Sequence, residues 1–319
     1  MKKILMMLLA AAIVGAGVTP TDVEAASKKK AVAAKKKAPR AAKPHRVKHV
    51  VRARSAHRIA SLDDAQHLAL QSSAALVLDQ TTGAVLFEKN PSAILPIASI
   101  TKLMTAMVVL DAKPDLTETL AISEQDVDIL KGTRSRLKVG THLAREEMLR
   151  LALMSSENRA AAALSRNYPG GREAFISAMN QKAQALGLVD TRFQDPTGLT
   201  AANVSSPRDL AKMVDAAHQY PLIREFSTTS EGEFSIAGRP QQFRNTNTLV
   251  KNPTWEIGLS KTGYINEAGK CLVMQAWLNN KPTIIVLLDS WGKMTRIGDA
   301  NRIKRWVESA SLAQRQSAG

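Results

Sequence analysis

The stretch that decides the fold lies at residues 96–110 and reads PIASITKLMTAMVVL. After Pro96 the run is apolar on nearly every side, which predicts a helix that is buried all round. Ser99 and Lys102 are three residues apart, so a helix places them on one face, with Lys102 one turn above Ser99. A simpler interpretation is that Ser99 only caps the helix, since serine is a favoured N-cap residue. The remaining motifs decide between the two.

Two further short motifs follow the first in order along the chain. They are Ser156-Glu157-Asn158 and Lys261-Thr262-Gly263. Ser-x-x-Lys alone is a weak signal, and it also begins at residues 27, 135 and 290. Only the copy at Ser99 opens an apolar helical run. Together the three motifs supply hydroxyls, amines and an amide without any histidine, which indicates acyl transfer through a serine and a lysine.

The residue types explain this chemistry. A serine hydroxyl is a poor nucleophile until a base takes its proton, and a lysine can be that base only when its amine is neutral near pH 7. Burial and a neighbouring positive charge both lower the pKa of a lysine. Lys102, on a buried helix and facing Lys261, is expected to experience both effects.

In these motifs the chain resembles the low-molecular-weight penicillin-binding proteins, which are D,D-peptidases of the cell wall. The resemblance also includes residues 193–199 (FQDPTGL) and 206–210 (SPRDL), and it extends from about residue 74 to residue 307. The residues within and next to the motifs are most similar to those of the D,D-endopeptidases. In those proteins the middle residue of the second motif is Glu, as at Glu157, and the third motif is followed by Tyr, as at Tyr264.

The resemblance implies catalytic roles for five residues. Ser99 is the expected nucleophile and Lys102 its base. Ser156 is expected to relay a proton toward the leaving amine, while Asn158 orients Lys102 and holds the substrate backbone. The two-residue spacing of Ser156 and Asn158 predicts that both side chains lie on one side of an extended segment. Lys261 is expected to point into the cleft from a strand.

The residues around the third motif are expected to bind substrate. Thr262 is available to hydrogen-bond a peptide that lies alongside the strand, and Gly263 allows a close backbone approach. The resemblance implies that the backbone amides of Ser99 and Tyr264 hold the oxyanion. It also implies that Arg296 binds a substrate carboxylate, although a solvated arginine at a helix start is an equally simple interpretation of that residue.

The order of predicted elements indicates a mixed α/β fold. Strand-like runs occur near residues 74–78 and 84–88 and again after residue 256, with helices between them and a final helix near residues 295–309. Thr141 and Ser206 are expected to cap two of the helices. The resemblance implies a β-lactamase/D,D-peptidase-like fold, in which a five-stranded antiparallel sheet is flanked by helices and joined by a helical subdomain. The active site is expected at their boundary.

The first 58 residues are expected to lie outside the catalytic domain, which we predict spans residues 59–319. Residues 1–25 combine two lysines, an apolar run and Val-Glu-Ala, which predicts a signal peptide and export to the periplasm. An uncleaved membrane anchor is the alternative. Residues 26–58 are predicted to form a disordered basic tether, because residues 27–58 contain 13 Lys or Arg and no acidic residue.

The tether accounts for most of the charge of the chain. The formal net charge is +16, and removing the tether leaves only about +3 for residues 59–319. Clustered lysines of this kind bind the phosphates of nucleic acids. The predicted export from the cytoplasm argues against nucleic acid as a partner. Residues 27–58 are therefore expected to contact anionic envelope polymers or lipid head groups, with a plain solvated spacer as the alternative.

These patterns predict a periplasmic serine D,D-endopeptidase that cleaves peptide crosslinks in peptidoglycan and is inhibited by β-lactams. Carboxypeptidase action on the same polymer is the first alternative. The chain ends soon after its last predicted helix, whereas many carboxypeptidases of this group continue into a β-rich domain, and this favours the endopeptidase.

Other chemistries receive less support. No cofactor and no metal is expected, because His67, His142 and His218 lack metal-ligand spacing. A β-lactamase is less expected, since no Glu between the second and third motifs has an Asn four residues later. A noncatalytic wall-binding or β-lactam-sensing protein is a further alternative, which the three intact motifs disfavour.

Overall fold

The computed structural model describes residues 68–292 and 294–317. The predicted signal peptide, the predicted tether and the first residues of the predicted catalytic domain lie outside these ranges. Within them, the hydropathy and length of the helices rule out a membrane-crossing helix.

The described residues form strands β1 to β11 and helices α1 to α7. The strands are β1 (Ser72–Asp79), β2 (Val85–Lys89), β3 (Leu95–Pro96), β4 (Thr119–Ala121), β5 (His142–Ala144), β6 (Val204–Ser205), β7 (Glu231–Ile236), β8 (Arg239–Arg244), β9 (Glu256–Ile265), β10 (Gly269–Leu278) and β11 (Lys281–Ser290). The helices are α1 (Thr101–Asp111), α2 (Arg145–Met154), α3 (Asn158–Arg166), α4 (Gly171–Ala185), α5 (Pro207–His218), α6 (Pro221–Thr228) and α7 (Thr295–Ser317).

Five strands form one antiparallel sheet in the order β2-β1-β11-β10-β9. The predicted mixed α/β fold with a five-stranded antiparallel sheet is confirmed. The first two strands of the domain pair with the last three, so the sheet joins both ends of the described chain. β9, which carries the third motif, is an edge strand.

Both faces of the sheet are buried. On β10, Cys271 and Val273 pack on one side, while Leu272 and Met274 pack on the other. This alternation follows from the two-residue period of a strand, and it explains why the central strands are apolar at consecutive positions. One face is covered by helices of the middle of the chain and the other by α7, through residues such as Trp306.

Helix α1 runs through the centre of the helical layer. Every residue from Thr101 to Val109 is buried, as the apolar sequence predicts. Ser99 itself precedes α1, in a 3-10 turn at residues 98–100 in which Ala98 has a left-handed φ of 47°. The catalytic motif therefore spans a turn and the first helical residues and does not lie within a single α-helix.

The two predicted caps have different outcomes. Ser206 caps α5, because its hydroxyl accepts a hydrogen bond from the Asp209 amide at 3.3 Å. The prediction for Thr141 was wrong, because residues 142–144 pair with β4 and the next helix begins only at Arg145.

Candidate active site

The first two motifs meet at the amine of Lys102. Its Nζ lies 2.9 Å from Ser99 Oγ and 2.7 Å from Asn158 Oδ1. A third partner, which the sequence did not indicate, is the backbone carbonyl of Thr197 at 2.7 Å. Lys102 has no solvent exposure, and these three partners all belong to the protein.

The pKa of Lys102 is lowered to about 7, because burial removes the water that would stabilise the charged amine. The carboxylates of Asp195 and Glu157 act in the opposite direction and raise it. The sequence predicted that burial and the positive charge of Lys261 would both lower this pKa. Burial is the largest cause, and the repulsion between the two amines is seen in the lowered pKa of Lys261.

The three hydrogen-bond partners of Lys102 determine how its neutral amine is oriented. A neutral amine has two N–H bonds and one lone pair. The carbonyl of Thr197 and the Oδ1 atom of Asn158 can only accept, so they hold the two N–H bonds. The lone pair is then left for the Ser99 hydroxyl, which is the arrangement that a base for Ser99 requires.

The third motif meets the second at Ser156. Lys261 Nζ donates to Ser156 Oγ at 2.9 Å and to the Thr262 carbonyl at 2.9 Å. The pKa of Lys261 is held well below its ordinary value, first by burial and then by the positive charges of Lys102 and Arg296. The amine of Lys261 thus lies near two other basic groups, Lys102 and Arg296.

The segment that carries Ser156 and Asn158 is not extended, contrary to the sequence prediction. Ser156 has a left-handed φ of 60°, in the turn between α2 and α3, and Asn158 is the first residue of α3. Few residues with a side chain adopt this conformation, so the surrounding contacts must hold it. The turn directs the two side chains toward different lysines. Ser156 accepts a hydrogen bond from Lys261, and Asn158 accepts one from Lys102.

A buried loop at residues 195–200 positions the carbonyl that binds Lys102. The Oδ1 atom of Asp195 accepts hydrogen bonds from the Thr197 amide (2.5 Å), the Thr197 hydroxyl (2.6 Å) and the Gly198 amide (2.6 Å). Gly198 has a φ of 82°, and a Cβ there would lie 2.0 Å from the Ala98 carbonyl oxygen. The resemblance had marked this stretch, but its physical role emerges only from these contacts.

Asn203 joins the same loop to the catalytic helix. Its Nδ2 donates to Thr101 Oγ1 at 3.1 Å and to the Asp195 carbonyl at 2.8 Å, and its Oδ1 accepts from the Gln194 amide at 2.7 Å. Asn203 is fully buried. Sequence reasoning missed this residue, because one asparagine in a loop carries no pattern of its own.

Gly263 lies where β9 touches the catalytic turn. A Cβ at this position would lie 2.8 Å from the Ile97 carbonyl oxygen and 3.2 Å from the Ser99 amide nitrogen. The close approach that the sequence predicted is therefore an approach of β9 to the turn that bears the nucleophile.

The remaining predicted binding residues surround this contact. Thr262 is buried and donates to Thr246 Oγ1 at 2.6 Å. Tyr264 is 55% exposed and follows the motif on the same strand. Arg296 donates to the carbonyls of Gly263 and Cys271 at 3.0 and 3.2 Å, so its guanidinium is anchored beside the motif. The assignment of the Ser99 and Tyr264 amides to the oxyanion stays a prediction.

Within residues 68–292 and 294–317, no group of His, Cys, Asp and Glu side chains is arranged to hold a metal ion. The single cysteine, Cys271, is buried, and burial raises the pKa of its thiol to about 11. Its sulfur is therefore a poor nucleophile at neutral pH.

The chain belongs to the S11 peptidase family, described as D-alanyl-D-alanine carboxypeptidase, whose pattern matches residues 61–292. A D-alanyl-D-alanine endopeptidase of Pseudomonas aeruginosa is 52% identical over 245 residues, which are 76% of this chain and 79% of that protein. A D-alanyl-D-alanine endopeptidase of Escherichia coli is 49% identical with the same coverage. These similarities confirm the resemblance to D,D-peptidases.

A solved structure agrees with the family assignment. The Streptomyces K15 DD-transpeptidase superposes on the chain with a TM-score of 0.70 at 28% sequence identity. The match covers 75% of this chain and 97% of that one. The fold and the order of the three motifs therefore lead to the same class of protein.

The contact of Gly263 with the catalytic turn is testable by one added methyl group. Gly263→Ala is expected to lower the rate of acylation by benzylpenicillin about 100-fold, because the added Cβ must push β9 away from Ser99. Gly298→Ala is the matched control, since a Cβ there meets Arg302 only at an ordinary 3.5 Å. Equal acylation rates for the two variants would show that the turn tolerates displacement.

Burial lowers the pKa of Lys102 and two nearby carboxylates raise it, which predicts how the rate of acylation depends on pH. Acylation needs the neutral amine, so its rate is expected to rise with pH through a pKa of about 7. Glu157→Gln removes a negative charge that raises this pKa, so the rising limb is expected to move to lower pH. Burst kinetics with a chromogenic β-lactam across pH measures the limb. Glu256→Gln, at an exposed site on the same protein, is expected to leave it in place.

Proposed function

We propose that this protein is a serine D,D-endopeptidase that hydrolyses D-alanyl peptide crosslinks in peptidoglycan. The observation that carries the proposal is the buried Lys102 amine, whose pKa is near 7 and whose remaining lone pair faces Ser99 Oγ at 2.9 Å. Membership of a D-alanyl-D-alanine carboxypeptidase family supports the substrate class.

In the proposed first step, Ser99 Oγ attacks the carbonyl carbon of a D-alanyl residue, while its proton passes to Lys102 Nζ. The amides of Ser99 and Tyr264 are proposed to donate to the oxyanion of the tetrahedral intermediate. The C–N bond then breaks and the leaving amine takes a proton through Ser156, which Lys261 contacts at 2.9 Å. The product of this step is an acyl-enzyme on Ser99.

The second step reverses the proton transfers with water as the nucleophile. Water attacks the acyl carbon, its proton passes to Lys102, and Ser99 leaves and regains a proton. Asn158 holds Lys102 in place throughout, since its Oδ1 accepts from the amine at 2.7 Å. Thr262, Gly263 and Arg296 are proposed to bind the substrate along the free edge of β9.

Endopeptidase action is favoured over carboxypeptidase action by two observations. Both bacterial relatives of about half identity are named endopeptidases, and residues Glu157 and Tyr264 follow the endopeptidase pattern. The family description favours the alternative, in which the leaving group is a terminal D-alanine. The two activities share the acylation step and differ in the amine that leaves.

We also propose inhibition by β-lactams without rapid turnover. A β-lactam carbonyl can acylate Ser99 by the same attack. Hydrolysis of that acyl-enzyme is expected to be slow, because no Glu between the second and third motifs is followed by an Asn four residues later. This separates the proposed activity from that of a β-lactamase.

The cellular setting is part of the proposal. Residues 1–25 are proposed to direct export to the periplasm and to be cleaved, and residues 26–58 to tether the catalytic domain, residues 59–319, near the cell wall. The support is the apolar run after Lys2 and Lys3, and the 13 basic residues of 27–58. Cleavage of wall crosslinks at that site would contribute to cell shape.

The proposed activity is tested with residues 26–319 and a mixture of crosslinked muropeptide dimers and pentapeptide monomers, read by mass spectrometry. Dimers are expected to fall to monomers, and Ser99→Ala is expected to leave them intact because it lacks the nucleophile. Loss of only a terminal alanine from the pentapeptide would instead establish a carboxypeptidase. Penicillin acylation without any cleavage would support a noncatalytic sensor.

Deleting residues 27–58 tests the tether. We expect the deletion to weaken retention in the cell envelope, and to remove the release of the protein by added salt, because salt screens the attraction between lysines and anionic polymers. Fractionation of cells at several salt concentrations measures both effects. Unchanged retention and unchanged salt dependence would identify residues 27–58 as a plain spacer.

A further inference from the structure

The segment at residues 128–137, which we call the strap, lies against the turn that carries the second motif. The three successive residues 157–159, at the start of α3, bind residues 133, 135 and 137 of the strap. The bonds run from Asn158 Nδ2 to Thr133 Oγ1 (3.1 Å), from Ser135 Oγ to Glu157 Oε2 (2.7 Å), and from Arg159 Nη1 to the Leu137 carbonyl (2.9 Å). The strap is thus an extension of the wall of the active site.

Asp128 holds the beginning of the strap in shape. Its Oδ1 atom accepts from the amides of Leu130 and Lys131, at 2.8 and 3.0 Å. Its Oδ2 atom accepts from the amide and the hydroxyl of Thr133, at 2.8 and 2.7 Å. The position of Lys131 is therefore coupled to Thr133, which binds the catalytic Asn158.

Lys131 reaches from the strap to the opposite wall. Its Nζ lies 2.5 Å from Oε1 of Glu267, in the turn between β9 and β10. The hydrogen bond from Lys131 lowers the pKa of the Glu267 carboxyl, so this carboxylate keeps its negative charge at neutral pH. The ion pair joins the wall that carries Asn158 to the strand that carries Lys261.

This ion pair closes a ring around the free edge of β9. One side of the ring is β9 itself, which within the part of the chain that the structure describes has a sheet neighbour only in β10. The other side consists of the strap and Asn158, which meets Ser99 through Lys102. Gly263 touches the turn of Ser99 and completes the ring at its base. The edge of β9 along which the proposed substrate binds is therefore one side of this ring.

The ion pair is weak enough to open. The side chains of Lys131 and Glu267 are 31% and 44% exposed, and exposed pairs of this kind contribute little to stability. Large exposed apolar side chains lie close to the pair in the sequence, with Ile129 91% exposed and Leu130 62% exposed before Lys131, and Tyr264 55% exposed before Glu267.

We propose that Lys131 and Glu267 form an ionic latch across the active-site groove, which must open before a crosslinked peptide can enter. The inference rests on the proposed endopeptidase function. A crosslinked substrate continues beyond both sides of the scissile bond, so it can enter a closed ring only by threading, whereas opening the latch admits it from the side. A small β-lactam fits without this opening. The latch thereby limits the rate for large substrates.

The latch is tested by Lys131→Met and Glu267→Gln. Each variant is expected to raise kcat/KM for crosslinked muropeptide dimers about two- to fivefold, the range that the loss of an exposed ion pair allows. The rate of acylation by benzylpenicillin is expected to stay unchanged. The charge-swapped double variant, Lys131→Glu with Glu267→Lys, is expected to return the dimer rate toward that of the wild type.

Salt and a matched ion pair provide the controls. Added salt is expected to raise the dimer rate of the wild type and to have little effect on either single variant, because salt screens exposed charges. Lys304→Met removes a comparable pair, in which Lys304 Nζ lies 2.6 Å from Glu308 on α7, and is expected to change neither rate.

The outcomes separate the latch from the function on which it rests. If the wild type cleaves dimers and the single variants do so at the same rate, the latch is wrong and the endopeptidase stands. If dimer cleavage and penicillin acylation fall together in the variants, the ion pair supports the structure of the wall and does not gate it. If the wild type acylates with penicillin but never cleaves dimers, the proposed function itself fails.

Discussion

The buried amine of Lys102 is the constraint on which the rest of the structure depends. An amine without solvent exposure is costly when charged, and burial lowers its pKa to about 7. Its partners come from α3 and from the loop after α4, with Ser99 just before α1. Helix α1 must therefore be packed on all sides before the Lys102 amine is buried and can act as the base for Ser99. The packing of the core and the proposed catalysis are linked in this way.

The second constraint is the close approach of backbones around Ala98. Gly198 approaches the carbonyl of Ala98. Gly263 approaches the carbonyl of Ile97 and the amide of Ser99. A side chain at Gly198 would push the loop that presents the Thr197 carbonyl away from the turn that bears Ser99, and a side chain at Gly263 would push the strand that holds Lys261 away from the same turn. The two glycines thus allow the sheet and the helical layer to share one site, and the site lies at their boundary for that reason.

Charge is distributed around the site in a way that serves both lysines. Asp195 and Glu157 raise the pKa of Lys102, against burial, while Lys102 and Arg296 lower the pKa of Lys261. Both carboxylates also organise the backbone, Asp195 through the loop that presents the Thr197 carbonyl and Glu157 through its bond to the strap. Asp195 and Glu157 therefore act on the pKa of the base and on the backbone around it at the same time.

The sequence by itself determined the class of fold, the three motifs and the buried helix, because apolar periodicity and motif spacing are local properties of a chain. It misjudged the turn at Ser156, since a left-handed residue between two helices leaves no mark in side-chain pattern. It also missed Thr197 and Asn203, which act through a carbonyl and a buried amide. Only the tertiary structure decided these, because a hydrogen-bond partner far along the chain depends on where the folded backbone passes.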